Sequence, residues 1–389
     1  MRPGAAEEPA GPSRRAGWPS LARLAALLVA IGPAAAGDPP LRLSVAAPGE
    51  PDVVFRWRTD RCTETDIPDA PFRAFRRADG AIVAFASHYE ARRFLGRSLE
   101  ALKRDCRVVF RGGDDPDPKA YDARAWIVAV WTADGRSLVA LTHNEYQAHR
   151  FPGRCAYATY SACWYNYLGE ARSDDGGETF ATLTRGAPLV AVARGASEEQ
   201  GRPRGFFGSS NLISHGGFLH AFTTTTGEPS QPRGVCLLRS PRPFDPGSWE
   251  MLTADGFVAV RQRPVCRVID NLFGDVTSVV RHRSSGMFIA VTVMPGGPDK
   301  GRVAFSTSAD LVTWSPPVGF LTLPTQFAEG CQSLRYLYPA IIDPEARSRN
   351  FEDVGAHADL YLTRARLASC DWTMERDLVR FRIDIAARE

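Results

Sequence analysis

The chain has 389 residues, 44% of them hydrophobic and 23% charged, which is enough apolar content to bury a sizeable core and excludes a disordered tail. Its 47 basic and 44 acidic residues leave a formal charge of +3, and no basic stripe interleaved with aromatics runs along it, so a nucleic-acid surface held by phosphate contacts is excluded. Glycine (34) and proline (29) are both plentiful, and the chain must turn often.

Residues 1–36 read as an export signal: Arg14, Arg15 and Arg23 supply the positive region, 24–31 the apolar run, and Pro33-Ala34-Ala35-Ala36 a small-residue cleavage site. The apolar run is far short of the roughly 20 residues that span a bilayer. The expectation is a secreted or periplasmic chain, 37–389, forming one domain with no membrane contact after cleavage. In an oxidising compartment its eight cysteines pair as disulfides, and eight cysteines allow 105 pairings.

Beyond the signal come short apolar or alternating runs bounded by turn residues, with 99–103 the one candidate helical turn. Strand 72–77, Asp79-Gly80 and strand 82–87 form a first hairpin; 126–131, Asp134-Gly135 and 138–142 form a second. Next is Ser173-Asp174-Asp175-Gly176-Gly177-Glu178-Thr179-Phe180, which matches the Asp-box pattern S-x-D-x-G-x-x-[FW] of sialidase-like β-propellers. Hairpins 212–214/218–223 and 276–282/287–293 follow, and a fifth pairs 340–342 with 360–363 across an insertion. Ser240 with Trp249, Ser308-Ala309-Asp310 with Trp314, and Cys370-Asp371-Trp372 take the Asp-box place in the later units. In such a turn a carboxylate accepts backbone N–H bonds while the aromatic packs between sheets.

Repeated units that cannot bury their own faces imply radial stacking. The fold expected is all-β, a five-bladed β-propeller of four-stranded antiparallel blades starting near Asp69, Asp122, Asn211, Asp275 and Tyr338. A sixth, divergent blade around 52–57 is the alternative. The repeat also pairs cysteines: Cys62 with Cys106 and Cys331 with Cys370 hold equivalent places in blades one and five, Cys155 and Cys163 share one loop, and Cys236 with Cys266 remains.

In such a blade, inner-strand starts and second-to-third-strand loops share one face. Asp66, Asp69, Asp122, Asn211, Asp275 and Tyr338 fall there, with His88-Tyr89-Glu90 and His143-Asn144-Glu145-Tyr146, while the Asp-box turns go to the opposite face. Ile67-Pro68-Asp69-Ala70-Pro71-Phe72, followed by Ala78-Asp79-Gly80 and an apolar strand, resembles the opening of five-bladed glycoside hydrolases of the arabinanase, levansucrase and invertase type. The resemblance implies a carbohydrate substrate and assigns Asp69 as catalytic base or nucleophile and Asp122 as the second aspartate that tunes the acid. At blade three, where that group keeps a glutamate acid, this sequence has Gly208-Ser209-Ser210-Asn211-Leu212. Glu145 is the replacement on the correct face, with Tyr146 and Trp131 as its apolar wall. Asp66, His143, Asn211, Asp275 and Tyr338 are the expected substrate contacts.

Two carboxyl groups astride a glycosidic bond can serve as acid and as base or nucleophile. A functional Asp69 should be dispensable for folding. Aromatics of the loop 155–167, namely Tyr157, Tyr160, Trp164 and Tyr165, either stack on sugars or pack between blades. The other reading is a non-catalytic propeller binding glycan or protein on the same face. A sialidase would need an arginine triad, for which Arg73, Arg124 and Arg281 are the candidates. The sequence has no nucleophile elbow, P-loop or dinucleotide fingerprint, and its seven histidines are scattered, so no cofactor or metal is expected, and a monomer is.

Overall fold

The computed structural model describes residues 37–388 apart from 47–48, 184–188, 194, 196–198, 297–299, 329 and 332. Residues 1–36, read above as an export signal with a cleavage site, lie outside the described residues.

Five antiparallel blades surround an axis. Blade one is Arg73–Arg76, Ile82–Phe85, Phe94–Gly96 and Lys103–Arg104. Blade two is Arg124–Thr132, Leu138–Gln147, Trp164–Ser173 and Ala181–Thr182. Blade three runs Ile213–His215, Phe218–Thr225, Gly234–Ser240 and Glu250–Thr253, with Gly256–Ala259 added at its edge. Blade four is Ser278–His282, Phe288–Pro295, Gly301–Ser308 and Val318–Leu323. Blade five takes its inner strands from Leu334–Ile342, His357–Ala368 and Asp371–Ala387, and its outer strand from the other end of the chain, Leu41–Val45, which pairs with 383–387. Asp52–Phe55 joins the same edge, so the segment considered above for a sixth blade completes the fifth.

Each strand uses its two-residue period twice. In Phe288–Pro295, Phe288 and Ala290 enter the layer shared with blade three, while Ile289 and Val291 enter the layer shared with blade five. Both faces are buried, which is why the strands read as continuous apolar runs. Five hydrophobic clusters result, one per blade interface. Aromatics key them: Phe72 stacks on Tyr361 at 4.1 Å between blades one and five, and Phe222 meets Trp314 edge-on at 5.6 Å between blades three and four.

The turns at one end of the barrel are built as their residues require. Gly80, Gly135, Gly217 and Gly286 all have positive φ in the hairpin loops. Asp175 accepts from the Glu178 and Thr179 amides, and Asp310 from those of Val312 and Thr313, with Phe180 and Trp314 buried beneath. Cys370-Asp371-Trp372 departs from this pattern. It is the hairpin between the second and third strands of blade five, at the other end of the molecule, and Trp372 is 46% exposed. The insertion within the blade displaced the register of the repeat there. Residues 97–101 form a tight turn rather than a helical one. The four disulfides are the expected ones: Cys62–Cys106 and Cys331–Cys370 at equivalent places in the repeat, Cys155–Cys163 within one loop, and Cys236–Cys266, the remaining pair.

Arg73, on the innermost strand of blade one, crosses the axis. Its Nε donates to Val128 O at 2.7 Å, Nη1 to Phe72 O at 3.2 Å, and Nη2 to Ser209 O and Thr277 O at 3.1 and 2.7 Å. Four blades thus give a carbonyl to one buried guanidinium, which no carboxylate pairs among the described residues. The fifth is tied in by Thr277 Oγ1, which donates to Pro339 O at 2.5 Å.

Two stability predictions follow from these burials. Arg73→Met leaves carbonyls of four blades unsatisfied and should lower the unfolding free energy by about 3 kcal/mol or more, measurable by urea titration. Glu170, buried between blades two and three beside Arg172 at 3.0 Å, has its carboxyl pushed up to about 7 by burial. The folded protein therefore holds a proton that the unfolded chain releases near pH 4.3, and stability falls as pH rises from there through 7. Glu170→Gln should raise the thermal midpoint at pH 8 and leave it close to wild type at pH 4.5.

Candidate functional site

Inner-strand starts and second-strand ends meet above Arg73 in a cavity of about 230 Å³. Asp69, Asp275 and Tyr338 reach it from the starts of blades one, four and five, and His143 and Glu145 from the second strand of blade two. Trp126, Val128, Trp164, Phe207 and Phe222 wall it. Its lower lining includes Val128, Ser209 and Thr277, the residues whose carbonyls hold Arg73.

Phe207 arrives on a strand that serves no blade alone. Arg204–Phe207 runs parallel to Tyr165–Asn166 of blade two and antiparallel to the second strand of blade three. Gly205 makes this approach possible, since a Cβ there would lie 2.0 Å from Asn166 O and its φ is +99°.

Asp69 collects donors. Arg376 forms an ion pair with Oδ1, the Trp126 indole N–H donates to Oδ2 at 3.2 Å, and the Tyr338 hydroxyl donates to Oδ1 at 3.4 Å. Tyr338 sits at a break in strand register with φ of +56°, a strained conformation for tyrosine that its place over Asp69 accounts for. Burial and the neighbouring Asp69 push its phenol well above the ordinary value, so it stays a donor. His88 Nδ1 lies 3.1 Å from Thr65 O, which can only accept. The neutral ring therefore turns its Nε2 lone pair toward Asp69 Oδ2, 3.7 Å away.

The second histidine has the opposite tautomer. His143 Nδ1 accepts from the Gly208 amide at 3.2 Å, so Nε2 carries the proton and donates to Glu145 Oε1 at 3.1 Å. Gln147 donates to the other Glu145 oxygen at 2.6 Å. Both Glu145 oxygens thus accept a hydrogen bond, which fixes the orientation of the carboxyl group. Asp275 is the contrast: burial pushes its carboxyl above the ordinary range, opposed by Thr224 and His143.

Of the residues singled out from the sequence, Asp69, His143, Glu145, Asp275 and Tyr338 converge on the cavity, and Asp66, Asp122 and Asn211 do not. Asp66 is buried against Arg104 and accepts from the Cys62 amide, anchoring the segment that leads into blade one. Asp122 packs its carboxyl into the space over Gly113, where a Cβ would be 1.9 Å from it. Asn211 bridges inner strands, accepting from Val279 N at 2.7 Å and donating to Val279 O at 2.8 Å. The wall expected of Tyr146 and Trp131 is elsewhere too, since Tyr146 stacks on Phe151 and Trp131 lies against Phe244. The arginine triad is not assembled: Arg73 spends its donors on backbone carbonyls, Arg124 lies over Tyr89, and Arg281 is over Phe288 and donates to Gly286 O. Sequence reasoning missed Arg376, Trp126 and Phe207. Arg376 sits beyond the blade-five insertion, and the one signal for it was an arginine close to Cys370.

No family model matches the chain, and no curated protein matches it. Solved structures do. An α-L-arabinofuranosidase from Podospora anserina has 9% identity and a TM-score of 0.47 over 85% of this chain and 95% of that one. The catalytic domain of a Coprinopsis cinerea GH62 α-L-arabinofuranosidase has 11% identity and a TM-score of 0.46 over 88% and 97%. A GH43_1 enzyme from Xanthomonas citri, complexed with xylose, has 10% identity and a TM-score of 0.44 over 81% and 86%.

The ion pair with Arg376 revises the expectation that Asp69 is dispensable for folding. Asp69→Asn should destabilise the protein by about 2 kcal/mol, because the guanidinium loses its counter-charge in a largely buried site, and Trp126 fluorescence should report the loosening. An unchanged or raised thermal midpoint would mean that the pair contributes nothing.

Proposed function

We propose that the protein is an exported glycoside hydrolase whose cavity encloses a terminal sugar. The observation that carries this reading is the convergence of three carboxyl groups, Asp69, Glu145 and Asp275, on one small cavity with tryptophan walls. Environment divides their roles. Asp275, whose carboxyl burial pushes above the ordinary range, donates to the glycosidic oxygen; Glu145, aligned by His143 and Gln147, acts from blade two as base toward water or as nucleophile. Asp69, fixed by Arg376 and Tyr338, orients the ring through its hydroxyls. The four disulfides fit an oxidising compartment, consistent with a cleaved leader at 1–36.

One observation favours a second reading, a propeller that binds glycan without cleaving it: Asp69, the carboxylate in the expected nucleophile position, is already engaged by a buried arginine.

Turnover by the purified chain on arabinan, xylan, galactan, fructan and a set of aryl pentosides and hexosides decides between them. Asp275→Asn should lower kcat at least about a hundredfold on substrates with poor leaving groups, and much less on 2,4-dinitrophenyl glycosides, which leave without protonation. The alkaline limb of the pH profile, where activity falls as Asp275 ionises, should disappear in that variant. Binding without turnover, or full activity of Asp275→Asn on poor leaving groups, would overturn the assignment.

A further inference from the structure

We propose that Tyr160 and Trp372 form an external sugar-binding rim, receiving the glycan residues that follow the one enclosed in the cavity; this rests on the carbohydrate reading above. The first ground is where apolar surface is left open. Of the nine large hydrophobic side chains between 38% and 56% exposed among the described residues, Tyr157, Tyr160, Phe273, Phe327, Trp372 and Met374 lie at the cavity end, in connections or at the start of the strand Asp371–Ala387, and the others are Val108, Phe244 and Val265. Exposed aromatics concentrated at one end of a molecule mark a binding surface.

The second ground is that the two rings are held in place. Tyr160 lies inside the loop closed by Cys155–Cys163, and its ring meets His149 at 5.5 Å and Trp164 at 5.1 Å, both edge-on. Trp372 follows Cys370, which is bonded to Cys331. A ring ordered before binding forfeits little entropy when a ligand arrives.

The third ground is continuity with the cavity. Trp164, which Tyr160 touches, lines the cavity wall. Arg376, paired with Asp69, places its guanidinium 5.8 Å from the Trp372 ring centroid. Trp372 is thereby joined to the cavity through Arg376 and Asp69, and Tyr160 through Trp164. A pyranose or furanose presents C–H faces that pack on such rings and hydroxyls that bond to a phenol or guanidinium. A cavity of about 230 Å³ is smaller than the roughly 300 Å³ at which drug-sized sites begin. It encloses one ring, and the rest of a chain must cross this rim.

The test is a chain-length series. Arabino-, xylo- and galacto-oligosaccharides of one to five residues are titrated by calorimetry, and the glycosyl fluorides of the same sugars, which have no aglycone, are assayed for turnover. In the series that binds, Kd should fall about tenfold from the monosaccharide to the trisaccharide. Tyr160→Ala and Trp372→Ala should each flatten that gain, with Trp372→Phe keeping part of it. Phe244→Ala, at the opposite end, should keep all of it. Thermal melts matching wild type show that the variants fold. Flat length dependence in the wild type, or an undiminished gain in both alanine variants, overturns the rim. Rim-dependent binding without any hydrolysis supports the rim and removes the hydrolase reading, whereas no binding in any series overturns both.

Discussion

The structure depends on a buried cation at its axis. Inner strands of a propeller converge without hydrogen bonding one another, so their carbonyls at the closest approach need donors that no sheet supplies. Arg73 meets that need with a planar fork whose donors diverge in several directions, a geometry lysine lacks. Its burial opposes the charge and lowers its pKa. Four carbonyl dipoles offset that cost, and the same contacts set how far apart the blades stand.

Everything above the guanidinium inherits this spacing. Cavity carboxyls come from inner-strand starts and second-strand ends whose positions are fixed by the blades and by the five apolar layers between them. Within that frame each acid receives a different environment from its own neighbours. Asp69 is crowded with donors, Glu145 faces a histidine whose tautomer the Gly208 amide dictates, and Asp275 has burial without a strong partner. Three chemically identical groups are thereby made unlike one another within one small volume.

Much of the fold was legible because it repeats. Hairpin turns with glycine at positive φ recur in phase with apolar runs, and that phase also paired Cys62 with Cys106 and Cys331 with Cys370. It placed Asp69, Asp275, Glu145, His143 and Tyr338 at the correct end, since strand direction alone dictates which end a residue reaches. Strand direction cannot say whether a side chain turns toward the axis. Asp66 and Asp122 sit at the correct height yet are claimed by Arg104 and by the gap over Gly113. Arg376 and Arg73 were hidden for a related reason, because each acts on partners from other blades. Trp372 was sent to the wrong end because the insertion within blade five broke the phase on which every other assignment relied.

The closure of blade five bears on how the chain folds. Residues 41–45 complete a sheet whose other strands are the last to be made, so the ring stays open until the two extremities of the domain find each other. Contacts of such long sequence separation form late and slowly, and until they do the outer edge of blade five presents unpaired backbone. A folding chain would hold four nearly finished blades beside an unzipped fifth. The pairing of that edge, more than the stability of any single blade, would then govern how fast the closed ring forms.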